Sequence, residues 1–151
     1  MRRDYFTLTV DGMDADDPQR PVVTITYEGP VGQLESRLTK ADSVLESDEI
    51  DVAFRLKEPL DSDEANGVVA IADRVTGEYV FELNATAGDV FSFVEAAREF
   101  GQRSDSESRY RIVLETEDEH LATYDKSTLL VYDADGDLLR GQSLIPSGVE
   151  L

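Results

Sequence analysis

The sequence contains no cysteine, one histidine and three lysines among its 151 residues. Without cysteine, disulfide bonds, thiolate zinc sites, iron–sulfur ligation and cysteine nucleophiles are excluded. The longest uninterrupted apolar run covers residues 68–72, whereas a membrane helix needs about 20 such residues. Arg2 and Arg3 are followed by Asp4 and not by the apolar run of an export signal. We therefore expect a soluble, cytoplasmic protein that does not enter a membrane.

Positive charge is also scarce. Lysine and arginine number 14 against 33 acidic residues, which gives a formal net charge of −19. We expect no direct binding to a nucleic-acid backbone, because such binding needs clustered positive charge. Apolar residues make up 40% of the chain, which is enough for a hydrophobic core and excludes a wholly disordered protein. The length predicts a single domain spanning residues 1–151.

Three interpretations of the acidity compete: adaptation to concentrated salt, mimicry of DNA, and a set of divalent-cation sites. At about 1 M salt the Debye length falls to about 3 Å, so neighbouring carboxylates hardly repel one another. The acidic residues occur in nearly every loop and on the polar side of nearly every strand, whereas a DNA mimic would concentrate them on one face. The pattern favours adaptation to salt.

Alternation of apolar and polar residues with period two predicts strands that bury one face. Residues 68–74 are apolar on both faces and predict a central strand, joined through the turn Thr76-Gly77 to a second strand as a β-hairpin. The other segments with this pattern are residues 5–10, 22–27, 50–57, 109–115, 129–132 and 138–144. Two weaker segments are residues 31–38, as a strand or a short helix, and residues 120–125.

One segment, residues 86–100, has helical periodicity. Its apolar residues recur every three or four positions and form one stripe: Val90, Phe93, Val94, Ala97 and Phe100. Thr86 can cap the start and Gly101 can end the helix in a left-handed conformation. The pattern predicts an α+β fold with a largely antiparallel sheet of about eight strands, open or curled towards a barrel, and one main helix on one face.

The acidic turn Asp133, Asp135 and Asp137 offers carboxylates at positions 1, 3 and 5 of a calcium loop. Position 6 is Leu138 instead of glycine and position 12 is Leu144 instead of glutamate, so a hairpin turn is the favoured interpretation and a weak cation site the alternative. The acidic loop at residues 11–17 lacks the periodicity of cation ligands. His120 is alone and is interpreted as a surface residue.

The densest positive group in the sequence is Arg98, Arg103, Arg109 and Arg111. These arginines could hold an acidic ligand, but pairing with nearby acids is the favoured interpretation. Tyr5, Tyr124 and Tyr132 are expected at the surface, where they could mark a contact area. Glycine-rich phosphate loops and nucleophile elbows are absent from the sequence. We assign no catalytic, cofactor-binding or metal-ligating residue and expect no cofactor.

Five segments spread over nearly the whole chain carry a resemblance: residues 2–10, 49–56, 73–78, 94–99 and 143–148. They resemble members of an uncharacterised haloarchaeal family, a domain of unknown function. The resemblance implies the cytoplasm of a salt-loving archaeon. It carries no mechanism and no functional residues.

These observations predict a non-enzymatic module that binds a protein partner or a second copy of itself through an open sheet edge. The alternative is an enzyme or small-ligand carrier with a pocket between the helix and the sheet. A weaker alternative is an acidic DNA mimic.

Overall fold

The computed structural model describes residues 3–11, 20–30, 32–40, 43–58, 65–103 and 108–145, without the side chains of Lys40 and Arg103. These ranges contain ten strands and two helices, and 3-10 turns at Arg3–Tyr5 and Ser47–Glu49 precede β1 and β5. The elements in chain order are β1 (Phe6–Asp11), β2 (Val22–Tyr27), α1 (Gln33–Leu38), β3 (Thr39–Lys40), β4 (Ser43–Val44), β5 (Ile50–Leu56), β6 (Asn66–Asp73), β7 (Tyr79–Thr86), α2 (Ala87–Arg103), β8 (Tyr110–Glu115), β9 (His120–Lys126) and β10 (Leu130–Tyr132).

Eight strands form two four-stranded sheets. The first sheet has the order β1-β2-β8-β9 and the second has the order β10-β5-β6-β7, while β3 and β4 form a short separate hairpin. Four of the six pairings in the two sheets are antiparallel, and the pairs β2–β8 and β5–β10 are parallel. The predicted α+β class with largely antiparallel pairing is confirmed. The eight strands, however, are divided between two mixed sheets that do not close into a barrel.

The inward side chains of the strands follow the predicted alternation. In β5 the buried residues are Ile50, Val52, Phe54 and Leu56. The two sheets share one hydrophobic core, and the rings of Phe6 in β1 and Phe81 in β7 stack with their centroids 4.9 Å apart. Each such side chain contributes about 1.5–3 kcal/mol when it is buried, so the core holds the two sheets together.

Helix α2 packs against both sheets. The hydroxyl of Thr86 accepts a hydrogen bond from the amide of Asp89 at 3.3 Å and so caps the start, as predicted. Phe93 contacts Tyr110 of β8 with ring centroids 5.4 Å apart. Phe91 meets Phe54 of β5 edge-on at 6.4 Å. The helix therefore closes the core where the two sheets meet.

The predicted end of α2 at Gly101 is wrong, because the helix continues to Arg103. Gly101 does not adopt a left-handed conformation; among the described glycines a positive φ occurs at Gly32, Gly77 and Gly136. Instead, a Cβ atom at position 101 would lie 2.3 Å from Nε of Arg109. The missing side chain thus makes room for an arginine and does not end the helix.

The predicted hairpin between β6 and β7 is confirmed. Gly77 has a φ of 76°, and its amide donates to the carbonyl of Asp73 at 2.8 Å. The Oδ1 atom of Asp73 accepts hydrogen bonds from the amides of Val75 and Thr76 at 2.9 and 3.3 Å. Residues 31–38, for which the sequence left two interpretations, contain the short helix α1.

Two sequence predictions are wrong. Residues 138–144 form turns with two isolated bridges, Leu129 to Leu144 and Tyr132 to Leu138, and not a strand. Tyr124, expected at the surface, is 1% exposed, because the register of β9 turns it into the core. Tyr5 and Tyr132 are half-buried. The acidic loop beyond Asp11 and the end of the chain after residue 145 lie outside the described residues.

In the described part of the chain, neither helix has the length and apolar character needed to cross a lipid bilayer.

Candidate functional site

The outer edge of β10 is covered by the segment at residues 138–145. The amide of Leu139 donates to the carbonyl of Val131 at 2.8 Å, and Leu129 and Leu144 exchange two hydrogen bonds of 3.0 and 2.8 Å. The amide of Val131 donates to the hydroxyl of Ser143 at 2.9 Å, and this hydroxyl donates to the carbonyl of Leu139 at 2.7 Å. This edge has few groups left to bond a further strand.

The outer edges of β1 and β7 lie close to each other, where the rings of Phe6 and Phe81 stack. At the start of β7, the guanidinium of Arg37 in α1 donates to the carbonyls of Tyr79 and Val80. The edge of β7 is thus partly satisfied by a side chain.

The outer edge of β9 is open at Thr123. The amide of Asp125 donates to the hydroxyl of Ser47 at 3.0 Å, so the backbone groups of Asp125 point away from β8. In an antiparallel pair the backbone groups of alternate residues point to the same side, and the N–H and C=O of Thr123 therefore also point outward. Within the described residues, the backbone of Thr123 makes no hydrogen bond to another segment.

A groove of about 590 Å³ runs beside this open edge, between β9 and residues 44–48. Its β9 side is formed by Leu121, Ala122 and Thr123. Its opposite side carries the apolar Val44, which is 46% exposed, and the acidic Glu46 and Asp48. The groove thus combines outward backbone groups, exposed apolar surface and negative charge.

Lys126 fastens the far end of β9 to the turn before β5. Its Nζ donates to the carbonyls of Ser47 and Ile50, both at 2.7 Å, and the residue is 7% exposed. Burial, and next the positive charge of Arg74, lower the pKa of Lys126 from its ordinary value of 10.5, against the opposing effect of Asp51 and Asp48. The groove is therefore closed at one end by a fixed contact.

Tyr124 lies beneath the same part of β9. Its hydroxyl is buried and has no hydrogen-bond partner among the described residues. Burial, with a smaller contribution from the charge of Glu49, raises the pKa of Tyr124 to about 12. By contrast, the hydroxyl of Tyr110 donates to the carbonyl of Thr128 at 2.7 Å.

Acidic side chains also gather near the groove. In the described part of the chain, one set of three acids brings carboxylate oxygens within 4.8 Å of one another: Glu46, Asp48 and Glu49. An oxygen of Glu49 accepts a hydrogen bond from the amide of Glu46 at 3.0 Å, so the set also has a structural role as the cap of a short turn. Exposed acids of this kind are common without an ion, and we assign no metal to them.

Residues 133–137 form a turn, as the favoured interpretation required, but this turn is closed by the isolated antiparallel bridge between Tyr132 and Leu138 and does not join two strands. The Oδ1 atom of Asp133 accepts hydrogen bonds from the amides of Asp135 and Asp137, both at 2.9 Å. Gly136 has a φ of 90°, which favours glycine at this position. The three aspartates do not form a set of converging carboxylates.

His120 is exposed, as the sequence predicted, and lies at the start of β9. Its Nε2 atom is 2.6 Å from the hydroxyl oxygen of Thr123. Among the described residues, none forms a hydrogen bond that would orient the other ring nitrogen, and general-base chemistry needs such an oriented ring. The pair therefore adds a polar contact at the open edge.

The arginine group predicted from the sequence separates in space. Arg111 pairs with Asp125 at 2.8 Å, in line with the favoured interpretation. The side chain of Arg103 lies outside the described residues. Arg98 and Arg109 instead line a second cleft of about 490 Å³ together with Arg140. Sequence reasoning missed Arg140, because it lies about 30 residues further along the chain and no local pattern connects it with α2.

Comparison with known proteins adds a family but no activity. No curated protein matches the chain, and no solved structure matches it. The model of one family, described as a family of unknown function (DUF5793), matches residues 1–151. The chain belongs to this family of unknown function.

Proposed function

We propose that the protein is a non-enzymatic binding module that takes up an extended segment of a protein partner along the outer edge of β9. The observation that carries the proposal is the outward N–H and C=O of Thr123 beside a groove with exposed apolar surface. An added strand would satisfy these groups and place alternate side chains in the groove.

The charge of the groove favours a basic partner segment. Glu46 and Asp48 are exposed along it, and none of the described residues that line it is basic. A second copy of the chain would bring its own net charge of −19 to this acidic surface. At about 0.15 M salt, where the Debye length is still about 8 Å, repulsion between the two copies disfavours self-association relative to a positively charged partner.

The experiment uses a synthetic peptide of ten residues that alternates valine and lysine, with blocked ends, titrated into the full chain by calorimetry. A peptide that alternates valine and glutamate is the control for charge. We expect saturable binding of the lysine peptide and at least tenfold weaker binding of the glutamate peptide. Equal binding of both peptides, or of neither, contradicts the proposal.

A matched pair of variants tests whether the peptide binds at the edge. Thr123→Pro removes an outward N–H that makes no internal hydrogen bond, and proline is tolerated at such edge positions. Thr123→Val keeps this N–H. We expect Thr123→Pro to abolish binding and Thr123→Val to retain it. Unchanged binding by Thr123→Pro excludes strand addition at β9.

We also propose that the acidity adapts the protein to a cytoplasm with concentrated salt, as in a haloarchaeon. Exposed acids lie in both sheets, in α2 and in the turns, including Asp11, Asp51, Glu99 and Asp137. This distribution supports an adaptation of the whole surface over a DNA mimic. Circular dichroism across a potassium chloride series should show the fold weakening as salt is withdrawn; full stability in dilute buffer at pH 7 contradicts this proposal.

A further inference from the structure

The groove beside β9 is bordered on its other side by the edge of a second strand, β4. In the hairpin of β3 and β4, the amide of Leu45 donates to the carbonyl of Leu38 at 2.8 Å, and Val44 is paired with Thr39. Because hydrogen-bonded and non-hydrogen-bonded pairs alternate along an antiparallel ladder, the N–H and C=O of Val44 point away from β3. Within the described residues, these two groups have no hydrogen-bond partner. Val44 therefore resembles Thr123 of β9 in its outward backbone groups.

The outer edge of β4 lies on the side of the β9 groove. Val44 lines this groove, whereas Thr39 of β3 lines a different cleft beside β7. The chain that follows β4 then meets the edge of β9, where the amide of Asp125 donates to the hydroxyl of Ser47 at 3.0 Å. The two edges thus lie side by side. They are bonded at Ser47 and are separated by the groove at Val44 and Thr123.

The size of the groove suits one short extended segment. Strands in a sheet lie about 4.8 Å apart, packed layers lie about 10 Å apart and each residue advances about 3.3 Å, which gives about 160 Å³ per residue. The groove of about 590 Å³ therefore has room for about four residues of an extended chain. The contact between Ser47 and Asp125 limits such a segment at one end.

We propose that the bound partner segment inserts between β9 and β4 and is hydrogen-bonded by both strands. This inference rests on the proposed binding at β9 and adds β4 as the second strand that holds the segment. An extended chain presents N–H and C=O groups on both of its sides, and a strand added to β9 alone leaves one side to water. In the groove, Thr123 bonds one side of the segment and Val44 bonds the other. The side chain of Val44, which is 46% exposed, adds apolar contact.

A matched pair of variants at position 44 tests the second edge. Val44→Pro removes an outward N–H that makes no internal hydrogen bond, and proline is tolerated at such edge positions. Val44→Ile keeps this N–H and the branched side chain. The valine–lysine peptide is titrated by calorimetry into each full chain at one fixed potassium chloride concentration that keeps the variants folded. We expect about tenfold weaker binding to Val44→Pro, because one hydrogen bond is lost, and unchanged binding to Val44→Ile.

Two N-methylated forms of the peptide test the inference without a change in the protein. One form carries N-methyl groups on its valines and the other carries them on its lysines. Each form thus lacks the N–H donors of one side of the extended chain. A strand held by β9 alone tolerates one of the two forms. We expect both forms to bind about tenfold more weakly than the unmodified peptide, because both sides of the inserted segment bond to a strand.

The outcomes separate this inference from the proposed function. Loss of binding in Thr123→Pro with unchanged binding in Val44→Pro overturns the insertion and leaves strand addition at β9 in place. Full binding of either N-methylated form overturns the insertion in the same way. No binding of the unmodified peptide to the wild-type protein overturns both proposals. If circular dichroism shows that Val44→Pro fails to fold, the N-methylated peptides decide the question.

Discussion

The outer edges of β10 and β9 differ in whether their backbone N–H and C=O groups find hydrogen-bond partners. At β10 the segment that follows the acidic turn covers the edge, and the hydroxyl of Ser143 accepts a hydrogen bond from the amide of Val131 at 2.9 Å. At β9 the chain fastens one end through Lys126 and leaves Thr123 facing a groove. An unpaired edge invites pairing with another chain. The difference makes β10 a covered edge and leaves the edge of β9 open at Thr123, which is what the proposed binding requires.

The largest expected difference lies between leucines at the two edges. Leu129, beside β10, is 1% exposed, and Leu129→Ala should lower the free energy of unfolding by about 3 kcal/mol through lost burial and a cavity. Leu121, at the open edge, is half-buried, and Leu121→Ala should cost about 1 kcal/mol or less. Chemical denaturation at fixed salt measures both. Equal losses would mean that the β9 edge is as well packed as the β10 edge.

Lys126 marks the boundary between the closed and open parts of β9. Lys126→Met leaves the carbonyls of Ser47 and Ile50 without their donor and should cost about 2 kcal/mol. Lys57→Met is the control, because Lys57 is exposed and bonds one amide oxygen of Asn84, and it should change stability by less than about 0.5 kcal/mol. A Lys126→Met effect no larger than the control would refute the fastening role.

The lowered pKa of Lys126 also predicts a pH dependence. The folded protein binds this proton less tightly than the unfolded chain does, whose pKa is the ordinary 10.5. The contribution of Lys126 to stability therefore rises as pH increases through the interval between the lowered pKa and 10.5. The difference in stability between the wild-type protein and Lys126→Met should widen across that interval; a difference that narrows would be evidence against the assignment.

Ser143→Ala removes two hydrogen bonds at the covered edge of β10 and should cost about 1–3 kcal/mol. Thr123→Ala at the open edge removes one exposed contact with His120 and should cost less than about 0.5 kcal/mol. Thermal or chemical denaturation of the two variants measures the contrast. Equal losses of stability in the two variants would show that the β9 edge is covered in solution.

The smallest effect at neutral pH is expected for Tyr124→Phe. Its hydroxyl has no partner in the described chain, so its loss should change stability by less than about 0.5 kcal/mol. Tyr110→Phe should cost about 1 kcal/mol, because it removes the bond to Thr128. A clear loss of stability in Tyr124→Phe at pH 7 would reveal a partner for this hydroxyl.

At alkaline pH the raised pKa of Tyr124 becomes visible. The folded state keeps the proton up to about pH 12, whereas the unfolded chain loses it near 10.0. Stability contributed by this group is thus complete below pH 10 and is lost as pH rises towards 12. Tyr124→Phe should lose less stability than the wild-type protein between these values, and an equal loss would contradict the assignment.

The sequence predicted the strands and the main helix of this fold better than it predicted which strands pair with each other. The alternation in β5 and the apolar stripe of α2 are local patterns, and both predict the observed elements. The pairing of β2 with β8 joins residues about 90 positions apart in the chain, and local periodicity carries no information about it. Lys126 lies on the inward face of β9 and interrupts the alternation of apolar and polar residues there. For this reason the sequence did not reveal that Tyr124 is buried.

The candidate sites depend on the same long-range information. Arg98, Gly101 and Arg140 meet because residues 140–145 return along α2. The sequence presented Gly101 as a helix end, while its function in the fold is to make room for Arg109. The sequence predicted that the sheet has an open edge. It could not place this edge at Thr123, because that placement depends on the register between β8 and β9.

Hydrogen exchange at single amides tests the central comparison most directly. In the free protein at a salt concentration that keeps it folded, the amide of Thr123 should exchange at nearly the rate of an unstructured chain, and the amide of Val131, bonded to Ser143, should exchange orders of magnitude more slowly. Addition of the valine–lysine peptide should slow exchange at Thr123. Equal protection of both amides in the free protein would contradict an open edge at β9.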